Sequence, residues 1–153
     1  MGDESDRADA DGPRLIYLVK QLEMGIRARL DGVLRQHSIT VPQYTALTVL
    51  EQHPELSAAQ LARLSFVTPQ AMEGVVRALE EAGFIERHRD PANRRRLVIS
   101  VTERAHAFLG ECRADVSRIE EAAFGQLSPD ERAGLAVWLT EGRRALSELG
   151  TDS

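Results

Sequence analysis

The stretch that decides the fold runs from Val67 to Thr102 and reads VTPQAMEGVVRALEEAGFIERHRDPANRRRLVISVT. Its first half spaces apolar residues as a helix does, opening at Thr68-Pro69 and stopping at Gly83. Threonine is a good N-cap, proline is favoured at the first helical position, and glycine commonly follows the last one. After Gly83, two β-type runs flank the turn sequence of residues 90–93. The stretch therefore predicts a helix followed by a β-hairpin.

A shorter helix precedes this stretch. Ser57-Ala58-Ala59-Gln60 has the form of a capping box, in which the side chains of the first and fourth residues each bond the other's backbone N–H. The helix that it opens covers about 58–65, and a break over 65–67 separates it from the helix beginning at Pro69. Two helices joined by so short a break are typical of a helix-turn-helix, and the hairpin that follows is typical of a wing.

The helix that begins at Pro69 has two chemically different faces. The face predicted to point inward holds Ala71, Met72, Val75, Val76 and Leu79. The face predicted to point outward holds Gln70, Glu73, Gly74 and Arg77. A recognition helix needs this division, because glutamine can bond adenine in two places, glutamate can accept from cytosine N4, and glycine permits close approach to DNA. An ordinary amphipathic helix with a solvated polar face gives the same pattern, but the basic hairpin directly after it favours the DNA-binding interpretation.

Positive charge is concentrated in the hairpin, although the chain as a whole carries a net charge of -5. Residues 84–97 contain five arginines and two acidic residues, a net charge of +3. Residues 1–12 contain five acidic residues and one arginine, a net charge of -4. Arg94-Arg95-Arg96 follows the turn at the hairpin tip. Arginine is favoured in narrow minor grooves, and further arginines can contact phosphates. A solvated basic turn is the alternative.

Long amphipathic helices flank this module. One is predicted over 14–36, and two more follow the N-caps Thr102 and Ser128. A second short helix, opened by the capping box at Thr40, runs to about His53. The flanking helices have broad apolar faces, and a second copy of the chain is the simplest partner for them.

The predicted fold class follows from these elements: mainly α with a small β-hairpin wing (α+β), as a winged helix-turn-helix with a helical dimerisation region. We expect residues 1–12 to be a disordered acidic leader. Residues 13–36 and 103–150 are expected to form the dimerisation region, and residues 37–102 the DNA-binding lobe.

The stretches 67–70, 79–87 and 90–103 resemble the MarR (multiple antibiotic resistance regulator) family, and the resemblance extends from about Leu15 to Leu149. It implies a triangular homodimer that binds double-stranded DNA at a palindromic operator and is often released by a small phenolic or other aromatic ligand. The ligand usually lies between the dimerisation helices and the lobe, where Tyr17 and Tyr44 are candidates. The residues expected to contact DNA are Thr68, Pro69, Gln70, Glu73, Arg77, Asn93, Arg94, Arg95 and Arg96.

The chain departs from the family pattern at two places. The family's wing usually has an aspartate two residues before an arginine, and these positions fall on Asn93 and Arg95. Asparagine can still hydrogen-bond the arginine but without charge assistance, which roughly halves the strength of such a bond. The peroxide-sensing branch has a reactive cysteine in its first helix, and this chain has none there. Its single cysteine, Cys112, lies on an apolar stripe and is predicted to be an inert core thiol.

Other function classes lack support in the sequence. The four histidines form no pair at i, i+4, and no catalytic constellation or Gly-rich phosphate loop is present, so we predict no enzyme, metal site or cofactor. No apolar run approaches the roughly 20 residues of a membrane span, the polar start is unlike a signal peptide, and a cytoplasmic regulator is expected. The alternative function is a winged-helix protein-interaction module, which has little need for three arginines on its wing.

Overall fold

A computed structural model of the protein describes residues 12–150. Apart from Gly12, the predicted acidic leader lies outside the described residues. Within that range the chain forms six helices and one antiparallel hairpin, which confirms the predicted fold class. The elements are α1 (Leu15–Arg35), α2 (Val41–Gln52), α3 (Ala58–Leu64), α4 (Pro69–Glu81), β1 (Ile85–Arg89), β2 (Leu97–Val101), α5 (Glu103–Phe124) and α6 (Pro129–Leu149). None of these helices is long and apolar enough to cross a membrane.

Local capping chemistry sets the helix starts. The predicted capping boxes at Thr40, Ser57 and Ser128 are complete, with the cap side chain and the glutamine or glutamate three residues later each accepting the other's backbone N–H. At the starts of α4 and α5, the hydroxyls of Thr68 and Thr102 also accept the backbone N–H three residues later. The residue at that position is alanine in both helices, so no side chain bonds back to the cap. A cap of this kind typically stabilises a helix by about 1 kcal/mol. These starts therefore lie where the sequence predicted them.

The predicted glycine stop of α4 is confirmed. Gly83 has φ +80°, its N–H donates to the Glu80 carbonyl, and the N–H of Phe84 donates to the Leu79 carbonyl at 2.9 Å. Glycine adopts this left-handed conformation without steric cost, so the chain can reverse direction and enter β1 at once. The strands pair in register from Ile85 with Val101 to Arg89 with Leu97.

One apolar core holds the lobe together. It lies between the end of α1, α2, α3, α4, the hairpin and the first half of α5. Its largest fully buried side chains are Leu34, Leu47, Leu50, Leu61, Val76, Leu79, Ile85, Ile99 and Cys112. The prediction that Ala71 faces inward is wrong, because Ala71 is exposed. The buried stripe of α4 follows Met72, Val76 and Leu79, and Ala71 lies about 100° round the helix from Met72.

The apolar residues of α1 and α6 have a different environment from those of the lobe. Helix α6 buries none of its residues, and α1 buries only Leu34, near its end. Trp138 in α6 is 77% exposed, and Leu15 at the start of α1 is 79% exposed. The other large exposed apolar side chains on these helices are Ile16, Tyr17, Leu18, Val19, Leu22, Met24, Val137, Leu139, Leu146 and Leu149. Exposed apolar surface of this extent usually marks an interface.

Candidate nucleic-acid interface

The outward face of α4 carries side chains with no partner in the described part of the chain. Gln70 and Arg77 are exposed, and neither makes a side-chain hydrogen bond or ion pair with another described residue. Thr68 and Pro69 are exposed beside them, although the Thr68 hydroxyl is occupied by the N–H of Ala71 at 3.1 Å. The first turn of α4 therefore presents one unpaired amide, with an unpaired guanidinium two turns further along.

Glu73, the other predicted reader on this face, is engaged within the protein. Its Oε1 accepts from Nη1 of Arg87 at 3.1 Å, and the Nε of Arg87 donates to Glu80 at 3.3 Å. The hydrogen bond to Glu80 is the main reason that the pKa of the Arg87 guanidinium is raised; burial opposes it, and the bond to Glu73 adds to it. This role of Arg87 was not predicted from the sequence. The available signal was the seven-residue spacing of the two glutamates, which places them on one face of α4 two turns apart.

The wing, residues 85–101, is closed by a compact hydrogen-bonded turn. The N–H of Asp90 donates to the Arg96 carbonyl at 2.9 Å, and the N–H of Arg96 donates to the Asn93 carbonyl at 2.9 Å. The predicted bond between Asn93 and Arg95 is present, with Asn93 Oδ1 accepting at 3.2 Å. Its donor is the backbone N–H of Arg95, not the guanidinium. Among the described residues, the exposed guanidinium groups of Arg94 and Arg95 have no partner.

Arg96 does not join the other two arginines at the wing tip. Its Nη1 donates to Asp90 Oδ2 at 3.0 Å, and its Nη2 donates to the Glu55 carbonyl at 3.2 Å and to Gln60 Oε1. Arg94 and Arg95 belong to the turn, whereas Arg96 follows the turn and directly precedes β2. The structure therefore places Arg96, predicted as a DNA contact, against the body of the lobe.

The Asp90 carboxylate at this position is held in its charged form. The N–H of Ala92 donates to Asp90 Oδ1 at 2.9 Å, while Arg96 donates to the other oxygen. The backbone bond from Ala92 and then the bond from Arg96 lower the pKa of Asp90. The hairpin turn thus contains a charged bond that the sequence analysis did not anticipate.

Only one of the two candidate ligand-binding tyrosines lines a cleft. Tyr44 borders two adjoining cavities of about 250 and 120 Å³, between α2, α5 and the middle of α1. Burial is the main reason that the pKa of Tyr44 is raised, so its hydroxyl stays protonated and can donate. Tyr17 lies on the first turn of α1 and lines neither cavity. It precedes Ile26, which does line the cleft, by nine residues, or about 13 Å along a helix.

Cys112 is fully buried in the core of the lobe, as predicted. Burial, with a smaller contribution from the charge of Glu111, raises the pKa of its thiol. Because the thiolate is the reactive form, a raised pKa slows reaction with peroxides.

We expect the Cys112→Ala variant to keep the DNA affinity of the wild type and to respond to peroxide no differently. The measurement is a DNA titration before and after treatment with hydrogen peroxide, with thermal unfolding to monitor the cavity that the substitution leaves. Release of the wild type but not of the variant by peroxide would show that the thiol is a sensor.

Comparisons with known proteins match this geometry. The model of the MarR family matches residues 39–97, which cover most of the lobe. The HTH-type transcriptional repressor Rv2887 of Mycobacterium tuberculosis is 33% identical over 144 residues, covering 94% of this chain and 98% of the repressor. The solved complex of Rv2887 with salicylic acid is similar at a TM-score of 0.66 and 31% identity, over 86% of this chain and 98% of that one. The complex of Rv2887 with DNA is similar at a TM-score of 0.65 and 28% identity, over 85% of this chain and 98% of that one.

The likeness of sequence extends over the flanking helices as well as the lobe, and the likeness of fold agrees with it. The chain therefore belongs to the MarR family of winged helix-turn-helix transcription regulators, whose members are regulators and not enzymes.

Proposed function

We propose that the protein is a homodimeric repressor that binds a palindromic operator and is released by a small aromatic or phenolic acid. The observation that carries this proposal is a set of polar side chains that are unpaired among the described residues: the wing-tip guanidinium groups of Arg94 and Arg95, and Gln70 and Arg77 on the outward face of α4. An acidic protein has no structural need for such a cationic tip, whereas DNA phosphates and narrow minor grooves attract it. The relative solved with DNA supports the same function.

The proposed dimer follows from the exposed apolar faces of α1 and α6. In this proposal residues 13–36 and 103–150 form the dimerisation region, and residues 37–102 form the DNA-binding lobe. A two-fold axis pairs the same patch on each copy. Two recognition helices related by that axis, about one DNA turn apart, read an inverted repeat with half-sites roughly 10 base pairs apart.

The proposed effector site is the cleft around Tyr44. Its apolar part includes Val116, and its polar part includes Tyr44 and Arg113 together with Glu51 and Glu120. A protonated phenol and a guanidinium are suitable donors for the carboxylate of a single-ring acid. The cavities are smaller than the roughly 300–1,000 Å³ of a drug-sized site, so a ligand with one ring fits best. The salicylic acid complex of the relative supports an effector of this class.

Arg95→Ala tests the wing directly. We expect weaker binding to both cognate and altered duplexes, because the lost contacts are to phosphates and to the minor groove rather than to base edges. Two cations fewer per dimer should also reduce the slope of log affinity against log salt by about 2. The measurement is a titration at several salt concentrations on a duplex that the wild type selects from a random pool.

The control is Arg144→Ala, which removes the same charge from α6, where Arg144 pairs with Glu141 and Glu148 on its own helix. It should leave the slope unchanged. If Arg95→Ala kept the wild-type affinity and slope, the wing would not contact DNA, and the protein-interaction module would become the better interpretation.

A further inference from the structure

We propose that Arg96 is a positioning residue that clamps the wing to α3 and thereby holds Arg95 in place for DNA binding. The inference rests on the proposed function, since it concerns how the wing meets DNA. Arg96 then has a different role from Arg94 and Arg95, although nothing in the sequence distinguishes the three adjacent arginines.

Arg96 joins three separate segments of the lobe. Its guanidinium bonds the side chain of Asp90 in the wing turn, the carbonyl of Glu55 in the α2–α3 connection, and the side chain of Gln60 in α3. The Arg96 side chain is 32% exposed, and that of Asp90 is only 13% exposed. A planar fork with several donors can satisfy acceptors in three directions, which a lysine ammonium on a flexible stem matches poorly.

The acceptors of the Arg96 guanidinium are themselves held in place by other hydrogen bonds. Gln60 Oε1 also accepts the Ser57 N–H at 2.9 Å, so the clamp uses the same amide that completes the cap of α3. Next to it, the N–H of Ile99 in β2 donates to the Leu56 carbonyl at 2.8 Å. The base of the wing is thus bonded to the start of α3 through both backbone and side chain.

The clamp is linked to Arg95 through Asn93. The backbone N–H groups of Arg95 and Arg96 both donate to Asn93, one to the side chain and one to the carbonyl. The bonds from Asn93 have no charge assistance, whereas the bond between Asp90 and Arg96 joins two charged groups. Arg89 also donates to the Arg94 carbonyl at 2.8 Å, within the wing. The bond between Arg96 and Asp90 differs because it joins two charged groups and because the same guanidinium also bonds the lobe at Glu55 and Gln60.

The decisive variant is Asp90→Asn, because two explanations predict opposite signs. Removing a negative charge beside DNA should tighten binding if electrostatics alone matters. Loosening the clamp should instead weaken binding, by about 3- to 30-fold if the coupling is typical in size. Glu86→Gln is the matched control, because Glu86 is an exposed acid on β1 without a side-chain bond to a described residue, and binding should be unchanged or tighter.

A double-mutant cycle then separates positioning from direct contact. If Arg96 acts through Arg95, Arg96→Ala should weaken binding in the wild-type background but have little effect in the Arg95→Ala background. Arg96→Lys should behave like Arg96→Ala, since it keeps the charge and loses the fork. The duplex is the one selected by the wild type, and thermal unfolding is recorded to confirm that each variant is folded at the assay temperature.

Three results would overturn the inference: tighter binding by Asp90→Asn, additive effects of the Arg95 and Arg96 substitutions, or full affinity of Arg96→Lys. The last two are the results expected of a phosphate contact. Failure of the proposed function gives a different result, because then the wild type would select no duplex, or Arg95→Ala alone would not change its affinity.

Discussion

Trp138→Ala is expected to shift the protein from dimer to monomer at concentrations where the wild type is associated. Trp138 is the most exposed large apolar side chain of α6, on a helix that buries none of its residues within its own chain. Tryptophan anchors of interfaces commonly contribute about 2–4 kcal/mol each. A two-fold interface contains the side chain twice, so about 4 kcal/mol or more is lost and the dissociation constant should rise on the order of 1,000-fold.

Sedimentation velocity over a range of concentrations measures this shift. Thr140→Ala is the control, because Thr140 lies about 200° round the helix from Trp138 and its hydroxyl bonds only the Ala136 carbonyl of its own helix. DNA affinity should fall with the dimer, because a monomer holds one half-site and loses the gain from linking two. A wild type that remained a monodisperse monomer at micromolar concentration would contradict the proposed dimer. A Trp138→Ala variant that dimerised like the wild type would place the interface elsewhere.

The elements of the fold could be predicted because each is specified within a few residues of sequence. Thr40, Ser57 and Ser128 open helices by bonds to residues three positions later, and Gly83 ends α4 through its own backbone conformation. Such signals need no knowledge of the rest of the chain. The wing was predictable for the same reason, since turn residues separate two runs of β-type residues.

The errors at the candidate site concern the direction of side chains and contacts distant in sequence. Arg96 meets Gln60 across 36 positions, and Arg87 meets Glu73 across 14. A charge pattern identifies a basic hairpin, but it does not say which arginine turns back toward the lobe. Tyr17 and Tyr44 were grouped by residue type alone, and only the packing of α1 against α2 and α5 separates them. The local part of the sequence thus predicts elements, and the tertiary fold decides which polar groups stay free.

Gln70→Ala is expected to abolish discrimination at one base position in each half-site. Gln70 is exposed in the first turn of α4, and its amide bonds no other described side chain or backbone group. In the proposed complex it enters the major groove, where glutamine bonds adenine through two hydrogen bonds at about 1–3 kcal/mol of discrimination. The two half-sites lie far enough apart for the losses to add, so affinity for the cognate duplex should fall at least about 30-fold.

The dependence of the lost DNA affinity on salt and on duplex sequence distinguishes Gln70 from the wing. Glutamine carries no charge, so Gln70→Ala should leave the salt slope unchanged, whereas Arg95→Ala should reduce it. Titrations on duplexes with single symmetric base changes should show the wild type losing affinity at one position where the variant loses none. Gln36→Ala, at the exposed end of α1, is the control and should retain the wild-type preference. If Gln70→Ala weakened binding equally on every duplex, Gln70 would contact the DNA backbone, and the base reading would have to come from Arg77 or from groove shape.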